Sequence, residues 1–190
     1  MFVLGVDPGL SRCGYGCVAR SGGRDRVVAA GVLTTSPSDP LPQRLAALDR
    51  SLRELLVDLL AAAGSGAGGP RPLEVAVERV FFQTNARTAM SVGQASGLAL
   101  AAAAGAGCEV AQYTPNEVKS AVAGYGSAPK EQVGRMVASL LGLAAPPRPA
   151  DTADALAIAL CHLAIAPFRQ RAVAAGAGRA ARPAVSGAGA

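Results

Sequence analysis

The order of strand-like and helix-like segments is the feature that most constrains the fold of this chain. Apolar and β-branched runs predict five strands, at residues 2–6, 14–20, 27–34, 73–77 and 109–113. Helical spacing and capping signals predict five helices, at residues 41–63, 86–104, 115–123, 129–141 and 150–166. The first three strands can pair as a meander, whereas the later two need helical crossovers. We therefore expect an α/β fold with a mixed five-stranded sheet flanked by helices.

The composition changes sharply near residue 168. Residues 1–167 carry all the predicted elements and suit a single α/β domain. Residues 168–190 are mostly Ala, Gly and Arg with almost no large apolar side chain, which predicts a disordered tail.

The charge of the chain does not by itself indicate nucleic-acid binding. The formal net charge is +5, but Arg171, Arg179 and Arg182 all lie in the last 20 residues, where there are no acids. The remaining chain holds 15 basic and 13 acidic side chains, a net charge of +2. A DNA-binding role must therefore depend on particular basic positions.

The cysteines and the apolar segments indicate a reduced cytoplasmic protein. Cys13, Cys17, Cys108 and Cys161 have neither CxxC nor zinc-finger spacing, so we expect small buried side chains. Met1 runs directly into a strand, without a signal-peptide pattern. The uncharged apolar stretch at residues 97–108 is shorter than the ~20 residues of a membrane span, so we expect no membrane association.

Four acidic residues fall where their side chains can meet. Asp7 and Glu78 each close an apolar strand, and Asp151 and Asp154 share one face of the first turn of the last helix. Taken singly, Asp7 before Pro8 also fits a turn former, and Asp151 a helix-capping acid. Converging carboxylates would repel one another unless cations lie between them, and oxygen-only ligands favour Mg²⁺ or Mn²⁺. The four acids therefore suggest a two-metal phosphodiesterase centre.

Taken in order, the motifs resemble the RuvC family of crossover junction endodeoxyribonucleases. The similarity covers about residues 2–166, and the four motifs in this order are far more specific than the first alone. The matching segments are Val3-Leu4-Gly5-Val6-Asp7-Pro8-Gly9 with Gly14-Tyr15-Gly16, Val77-Glu78-Arg79-Val80-Phe81 with Asn85-Ala86 and Gly93-Gln94-Ala95, residues 115–119 with 124–130, and Asp151 to Ala159.

The resemblance implies an RNase H-like homodimer that cleaves four-way (Holliday) junction DNA with symmetric nicks. It implies Mg²⁺ as the cofactor, two ions per site with Mn²⁺ as a substitute, and Asp7, Glu78, Asp151 and Asp154 as catalytic metal ligands. Some family members have histidine at the position of Asp151. The implied partners are the RuvA–RuvB branch-migration proteins. The helix at residues 86–104 is our candidate for the dimer surface.

The basic residues give a second line of evidence. Of 18 basic side chains only Lys119 and Lys130 are lysine, and both occupy positions where the family places basic residues near the scissile phosphate. A compact ammonium group can approach a phosphate that a planar guanidinium would crowd, so we expect both lysines to be catalytic and to contact DNA. Simple solvation of both lysines is the alternative.

Three further residues are predicted DNA contacts. Phe81 occupies the position where the family stacks an aromatic ring on a base near the crossover, although a core position for Phe81 is the alternative. Arg79 and Arg87 flank the same loop and could contact phosphates, and simple surface solvation is the alternative for both. His162 lies roughly 12 Å along the helix from Asp154, too far for one metal shell, so we expect a structural histidine.

Three other functions remain open from the sequence. ATP-handling proteins of the actin and sugar-kinase type also open with a strand followed by Asp and Gly, but they need about twice this length. RNase H-like nucleases that act on RNA precursors share the fold, and the Asp151–Asp154 pair together with Phe81 favours junction DNA over them. A junction-binding module without activity would not need all four carboxylates.

Overall fold

The computed structural model describes residues 1–65, 72–79 and 86–180, with side chains described except at residues 86–88 and 169–180. Its strands are β1 (Phe2–Asp7), β2 (Arg12–Ser21), β3 (Arg24–Thr34), β4 (Leu73–Glu78) and β5 (Glu109–Tyr113). Its helices are α1 (Leu41–Gly64), α2 (Ala86–Gly105), α3 (Pro115–Ala123), α4 (Lys130–Leu140) and α5 (Ala150–Ala180). The predicted elements are confirmed, most with ends that differ by one to three residues.

The five strands form one mixed sheet in the order β3-β2-β1-β4-β5. The first three strands pair antiparallel, as the meander predicted, and β4 and β5 run parallel to β1. Val6 pairs with Val77, so Asp7 and Glu78 end neighbouring parallel strands at the same edge of the sheet. The fold thereby brings the first two predicted acids together.

Helices cover both faces of the sheet, and each face has its own hydrophobic core. On one face α1 packs beside α2, and its leucines are at most 3% exposed: Leu48, Leu52, Leu56 and Leu59. On the other face α3, α4 and α5 pack together, with α5 crossing β1 and β2. The acidic first turn of α5 therefore belongs to the same face as α3 and α4.

Three strand glycines allow α5 to lie directly on the sheet. A Cβ atom at Gly5 or Gly14 would overlap the backbone carbonyl oxygen of Ala155 or Asp151, respectively. A Cβ atom at Gly16 would come within 2.7 Å of a leucine side chain of α5. Only glycine permits so close an approach of helix and strand backbones. The glycines thus set the position of the acidic end of α5.

The C-terminal part of α5 differs from the prediction. The helix continues through Pro167 to Ala180, so the predicted end at residue 166 is wrong. The disorder expected of residues 168–190 stays a prediction. Proline removes one helical hydrogen bond, but alanine has the highest helix propensity, and the segment beyond Pro167 is rich in it. Residues 181–190 lie outside the described residues.

The apolar character of α5 reflects burial within the domain. Ala150–Phe168 has the length and mean hydropathy of a membrane-spanning helix, but 67% of its most apolar window is buried against the protein. The apolar stretch considered from the sequence, residues 97–108, lies elsewhere, mostly in α2. Residues 150–168 therefore form the central core helix of this fold.

The cysteines are buried as expected. Cys13, Cys17, Cys108 and Cys161 are all buried and none of them is in a disulfide. Burial raises the pKa of the Cys13 thiol to about 11 and that of Cys17 to about 12. The thiols of Cys13 and Cys17 therefore remain protonated and act as small apolar side chains.

Candidate active site

A pocket of about 280 Å³ opens at the edge of the sheet where β1 and β4 end. Its charged lining consists of three predicted acids and both lysines of the chain: Asp7, Glu78, Asp154, Lys119 and Lys130. These residues come from β1, β4, α5, α3 and α4. The fold therefore gathers five of the six predicted catalytic residues around one open cavity.

The carboxylates of this pocket disfavour one another's ionisation. Burial is the largest effect that raises the pKa of Asp7, to about 7, and the charges of Glu78, Asp154 and Asp151 add to it, while Lys130 opposes it. Burial also raises the pKa of Glu78, followed by the charge of Asp154. Such shifts mark a site that lacks enough positive charge for its acids.

Lys130 partly supplies that positive charge. Its Nζ donates a hydrogen bond of 2.9 Å to Oδ2 of Asp154, and this contact is the main cause of the raised pKa of Lys130. The lysine side chain is 74% exposed, so solvent or a ligand can reach it while it holds Asp154. The ion pair is therefore an exchangeable contact at the mouth of the pocket.

Asp151 is held at the margin of the pocket by Arg12. The guanidinium donates from Nε at 3.0 Å and from Nη2 at 2.8 Å to the same carboxylate oxygen, Oδ2. This contact is the main cause that lowers the pKa of Asp151 below its ordinary value. Asp151 is the one predicted acid that does not line the pocket.

Lys119 reaches the pocket because α3 begins at a well-defined cap. The hydroxyl of Thr114 accepts the backbone N–H of Glu117, and the Glu117 carboxylate accepts the backbone N–H of Thr114. Pro115 occupies the first turn of the helix. This capping box starts the helix directly after β5, which places Lys119 beside the strand-end acids.

Oxygen donors dominate the charged lining of the pocket. In the described part of the chain, no three acidic, histidine or cysteine side chains already form a group that could hold a metal ion. Asp154 is paired with Lys130 and Asp151 with Arg12, so two of the four acids are occupied by protein cations. The hard, mutually repelling carboxylates suit a divalent ion such as Mg²⁺.

The predicted DNA contacts are only partly described. Arg79 follows β4, its side chain is exposed, and its backbone N–H donates to the carbonyl oxygen of Tyr113 at 2.7 Å. Phe81 and the side chain of Arg87 lie outside the described residues. The roles of all three residues in DNA binding stay predictions.

His162 is a structural residue, as expected. Its Nδ1 shares a hydrogen bond of 2.9 Å with the hydroxyl of Tyr113, and its Nε2 lies 2.6 Å from Oε2 of Glu74. All three residues are at most 6% exposed. The histidine therefore links α5 to β4 and β5 within the core, away from the metal-ligand candidates.

Arg12 is the site residue that sequence reasoning missed. Arg12 begins β2, shortly after the Asp7-Pro8-Gly9 turn. Its closeness in sequence to this first acidic motif is the signal that could have identified it as a site residue. Its partner Asp151 lies 139 residues away, which local patterns do not reveal.

The sheet order and the acidic pocket at the strand ends define an RNase H-like fold. A sequence model of the family described as crossover junction endodeoxyribonuclease RuvC matches residues 3–162. The chain therefore belongs to the RuvC family.

Curated relatives agree with this assignment. The crossover junction endodeoxyribonuclease RuvC of Salinispora arenicola is 51% identical over 183 residues, which covers 96% of this chain and 98% of the relative. That of Moorella thermoacetica is 48% identical over 171 residues, covering 90% and 96%.

Solved structures share the fold. Thermus thermophilus RuvC in complex with a Holliday junction substrate is 40% identical, with a TM-score of 0.78 over 89% of this chain and 96% of that one. The yeast mitochondrial Holliday junction resolvase Ydc2 has a TM-score of 0.59 over 90% of this chain and 85% of that one. At 15% identity this second likeness concerns the fold alone.

Proposed function

We propose that this protein is an endonuclease that binds four-way DNA junctions and hydrolyses one phosphodiester bond in each of two symmetric strands. The observation that carries the proposal is the pocket in which Asp7, Glu78 and Asp154 meet Lys119 and Lys130. Support also comes from the Thermus thermophilus relative, whose structure holds a Holliday junction substrate. Such cleavage serves DNA recombination and repair.

The cofactor we propose is Mg²⁺, two ions per site, with Mn²⁺ as a substitute. Asp7, Glu78 and Asp154 would hold them, and Asp151 would join as a fourth ligand after leaving Arg12. The fit is supported by the oxygen donors of the pocket and by the raised pKa values of Asp7 and Glu78, since a cation would offset their repulsion. When bound, such ions activate water and offset charge on the phosphate oxygens.

The lysines would bind and orient the scissile phosphate. Lys130 now donates to Asp154, and a phosphate oxygen can replace that carboxylate as the acceptor at Nζ. Lys119 approaches the same cavity from α3 and would bind a second oxygen. Two ammonium groups at fixed positions would hold the phosphate in line for attack.

Side chains beyond the pocket would hold the surrounding DNA. Arg79 is exposed directly after Glu78 and would contact a phosphate next to the cleaved one. Phe81 would stack on a base near the crossover, and Arg87 would bind the backbone beside it. These three roles come from the family resemblance.

The protein would act as a cytoplasmic homodimer. Two symmetric nicks need two active sites, and α2 is our candidate for the interface. Met90 on α2 is 66% exposed and Val57 on the adjacent α1 is 65% exposed, which supports an apolar contact on this face. The proposed partners are the RuvA–RuvB branch-migration proteins.

A substrate panel tests the proposal. The protein is incubated with an end-labelled four-way junction, a linear duplex of the same sequence and an RNA–DNA hybrid, each with Mg²⁺ or EDTA. We expect paired, symmetric nicks in the junction alone, and only with Mg²⁺. Cleavage of the hybrid instead would show that the substrate is RNA. Tight binding of the junction without cleavage would show a junction-binding module without nuclease activity.

A further inference from the structure

A second concavity lies directly beside the active-site pocket. This groove, of about 990 Å³, is bounded by α4 and by the proline-rich segment before α5. Lys130 and Asp154 line both the groove and the pocket. The two cavities therefore adjoin at the Lys130–Asp154 pair, where the scissile phosphate would bind.

The groove carries positive charge that the protein itself does not neutralise. Arg135 on α4 and Arg148 in the proline-rich segment both line it and are exposed. Within the described residues, neither guanidinium has a hydrogen bond or ion pair. Glu131 lies four residues before Arg135 on the same helix, but no ion pair joins them. Apart from the Lys130–Asp154 pair, the charged groups that line the groove are the guanidinium groups of Arg135 and Arg148 and the carboxylate of Glu131.

The remaining walls are apolar and stiff. Pro146, Pro147 and Pro149 form the side opposite α4, and the pyrrolidine ring fixes the backbone φ angle of each. Gly134 on α4 is buried, and a Cβ atom there would lie 3.6 Å from Pro146. The described residues that line the groove include no aromatic side chain. A ligand would be bound through its charge.

We propose that this groove holds the backbone of the cleaved DNA strand next to the scissile phosphate, with Arg135 and Arg148 each binding one phosphate. The proposal rests on the proposed junction-cleaving function and extends its binding site. A guanidinium binds phosphate through two parallel hydrogen bonds. A polyanionic strand leaving the pocket past Lys130 would meet both guanidinium groups in a channel that is open to solvent.

The proposal has a distinct energetic signature. Both arginines would contact the backbone, so each releases about one counterion when DNA binds, whatever the sequence. The carboxylate of Glu131 would repel the same phosphates, so Glu131→Gln should strengthen DNA binding.

Junction binding in a salt series tests the proposal. Dissociation constants are measured in EDTA, where no strand is cut, for the wild type, Arg135→Gln, Arg148→Gln, the double variant and Glu131→Gln. Arg26→Gln is the matched control, since Arg26 lies on β3 at the end of the sheet away from the pocket. We expect each single arginine variant to bind about tenfold more weakly near 0.1 M salt and the double arginine variant to lose about two units of salt slope.

The outcomes separate the two proposals. If the double variant binds the junction like Arg26→Gln, the groove proposal is wrong and the junction function stands. If the wild type binds junction and duplex equally but the double variant still loses slope, the groove holds DNA and the proposed substrate is wrong. If the wild type binds neither DNA, both proposals fall. Glu131→Gln binding more weakly than the wild type would also overturn the groove.

Discussion

Asp7 is the residue at which the electrostatic effects of the pocket converge. It ends β1, it is largely buried, and three other carboxylates raise its pKa while only Lys130 lowers it. Without a bound cation, this carboxyl group exchanges its proton near neutral pH instead of near pH 4. The carboxylates of the pocket thus repel one another, and because a bound cation would offset this repulsion, cation binding is favoured.

The first prediction concerns stability in the absence of metal. Because the pKa of Asp7 in the folded protein, about 7, exceeds its ordinary value of 3.8, the folded protein binds more protons than the unfolded chain between these values. Stability should therefore fall as pH rises through this window. Asp7→Asn removes that penalty, so in EDTA it should be more stable than the wild type at pH 8, by on the order of 2–4 kcal/mol, and nearly equal at pH 4.

Urea unfolding at the two pH values measures this difference. Asp58→Asn, which removes an exposed carboxylate on α1, is the matched control and should show no such pH dependence. A constant difference between Asp7→Asn and the wild type at pH 4 and pH 8 would contradict the charge arrangement described for the pocket.

The second prediction concerns the choice of lysine. Lys119→Arg and Lys130→Arg keep the charge but replace a compact ammonium group with a planar fork, so each should lower the single-turnover cleavage rate roughly tenfold or more. Both side chains line the pocket. Melting temperatures should stay within a few degrees of the wild type. Wild-type cleavage rates in both variants would contradict the prediction, because they would show that a guanidinium group at these positions supports cleavage as well as an ammonium group does.

At the scale of elements, the approach of α5 to the sheet decides whether the acids meet. Gly14 faces the backbone of Asp151, with Cβ of Asp151 3.2 Å from the position that a Cβ at Gly14 would take. Any side chain there must displace the first turn of α5. Asp151 and Asp154 belong to that turn, so a packing change at β2 would move two acids of the candidate active site.

The third prediction follows from this contact. Gly14→Ala should destabilise the protein by about 1–3 kcal/mol through overpacking, and it should also lower the cleavage rate because α5 shifts. Gly64→Ala is the matched control, since a Cβ atom at Gly64 would meet nothing within 4 Å. Chemical denaturation and single-turnover cleavage measure the two effects. Full activity in Gly14→Ala would show that the acids tolerate a displaced α5.

Sequence patterns predicted the elements well where the signals were local. The strand ends at Asp7 and Glu78 and the capping box at Thr114 are local signals, and they placed three walls of the pocket. The pairing of Arg12 with Asp151 depends on how α5 crosses β2, which no local pattern encodes. The helix beyond Pro167 was missed because weak hydrophobic patterning hid the helix propensity of alanine.

At the scale of the whole molecule, the charge is concentrated in particular places. The chain carries a net charge of +5, two lysines line the pocket, and two arginines line the groove. Three further arginines lie in residues 171–190. A long-range attraction to DNA would combine these local sites with the C-terminal segment.

The fourth prediction concerns this segment. Deleting residues 171–190 removes three arginines and should reduce the slope of junction affinity against salt by up to about three units. The cleavage rate at saturating DNA should stay at the wild-type value, because the pocket is built from residues 7–158. Filter binding at several salt concentrations measures the slope. An unchanged slope would exclude the segment from DNA binding.

The central claim is that the acidic pocket at the ends of β1 and β4 performs the cleavage of four-way junctions. The most direct measurement compares the wild type with Asp7→Asn on an end-labelled four-way junction in Mg²⁺, with binding and cutting followed in the same samples. We predict that Asp7→Asn binds the junction as tightly as the wild type. Its cleavage rate should be lower than that of the wild type by roughly a thousandfold or more. Cutting by Asp7→Asn at the wild-type rate and positions would contradict this claim and place the chemistry elsewhere.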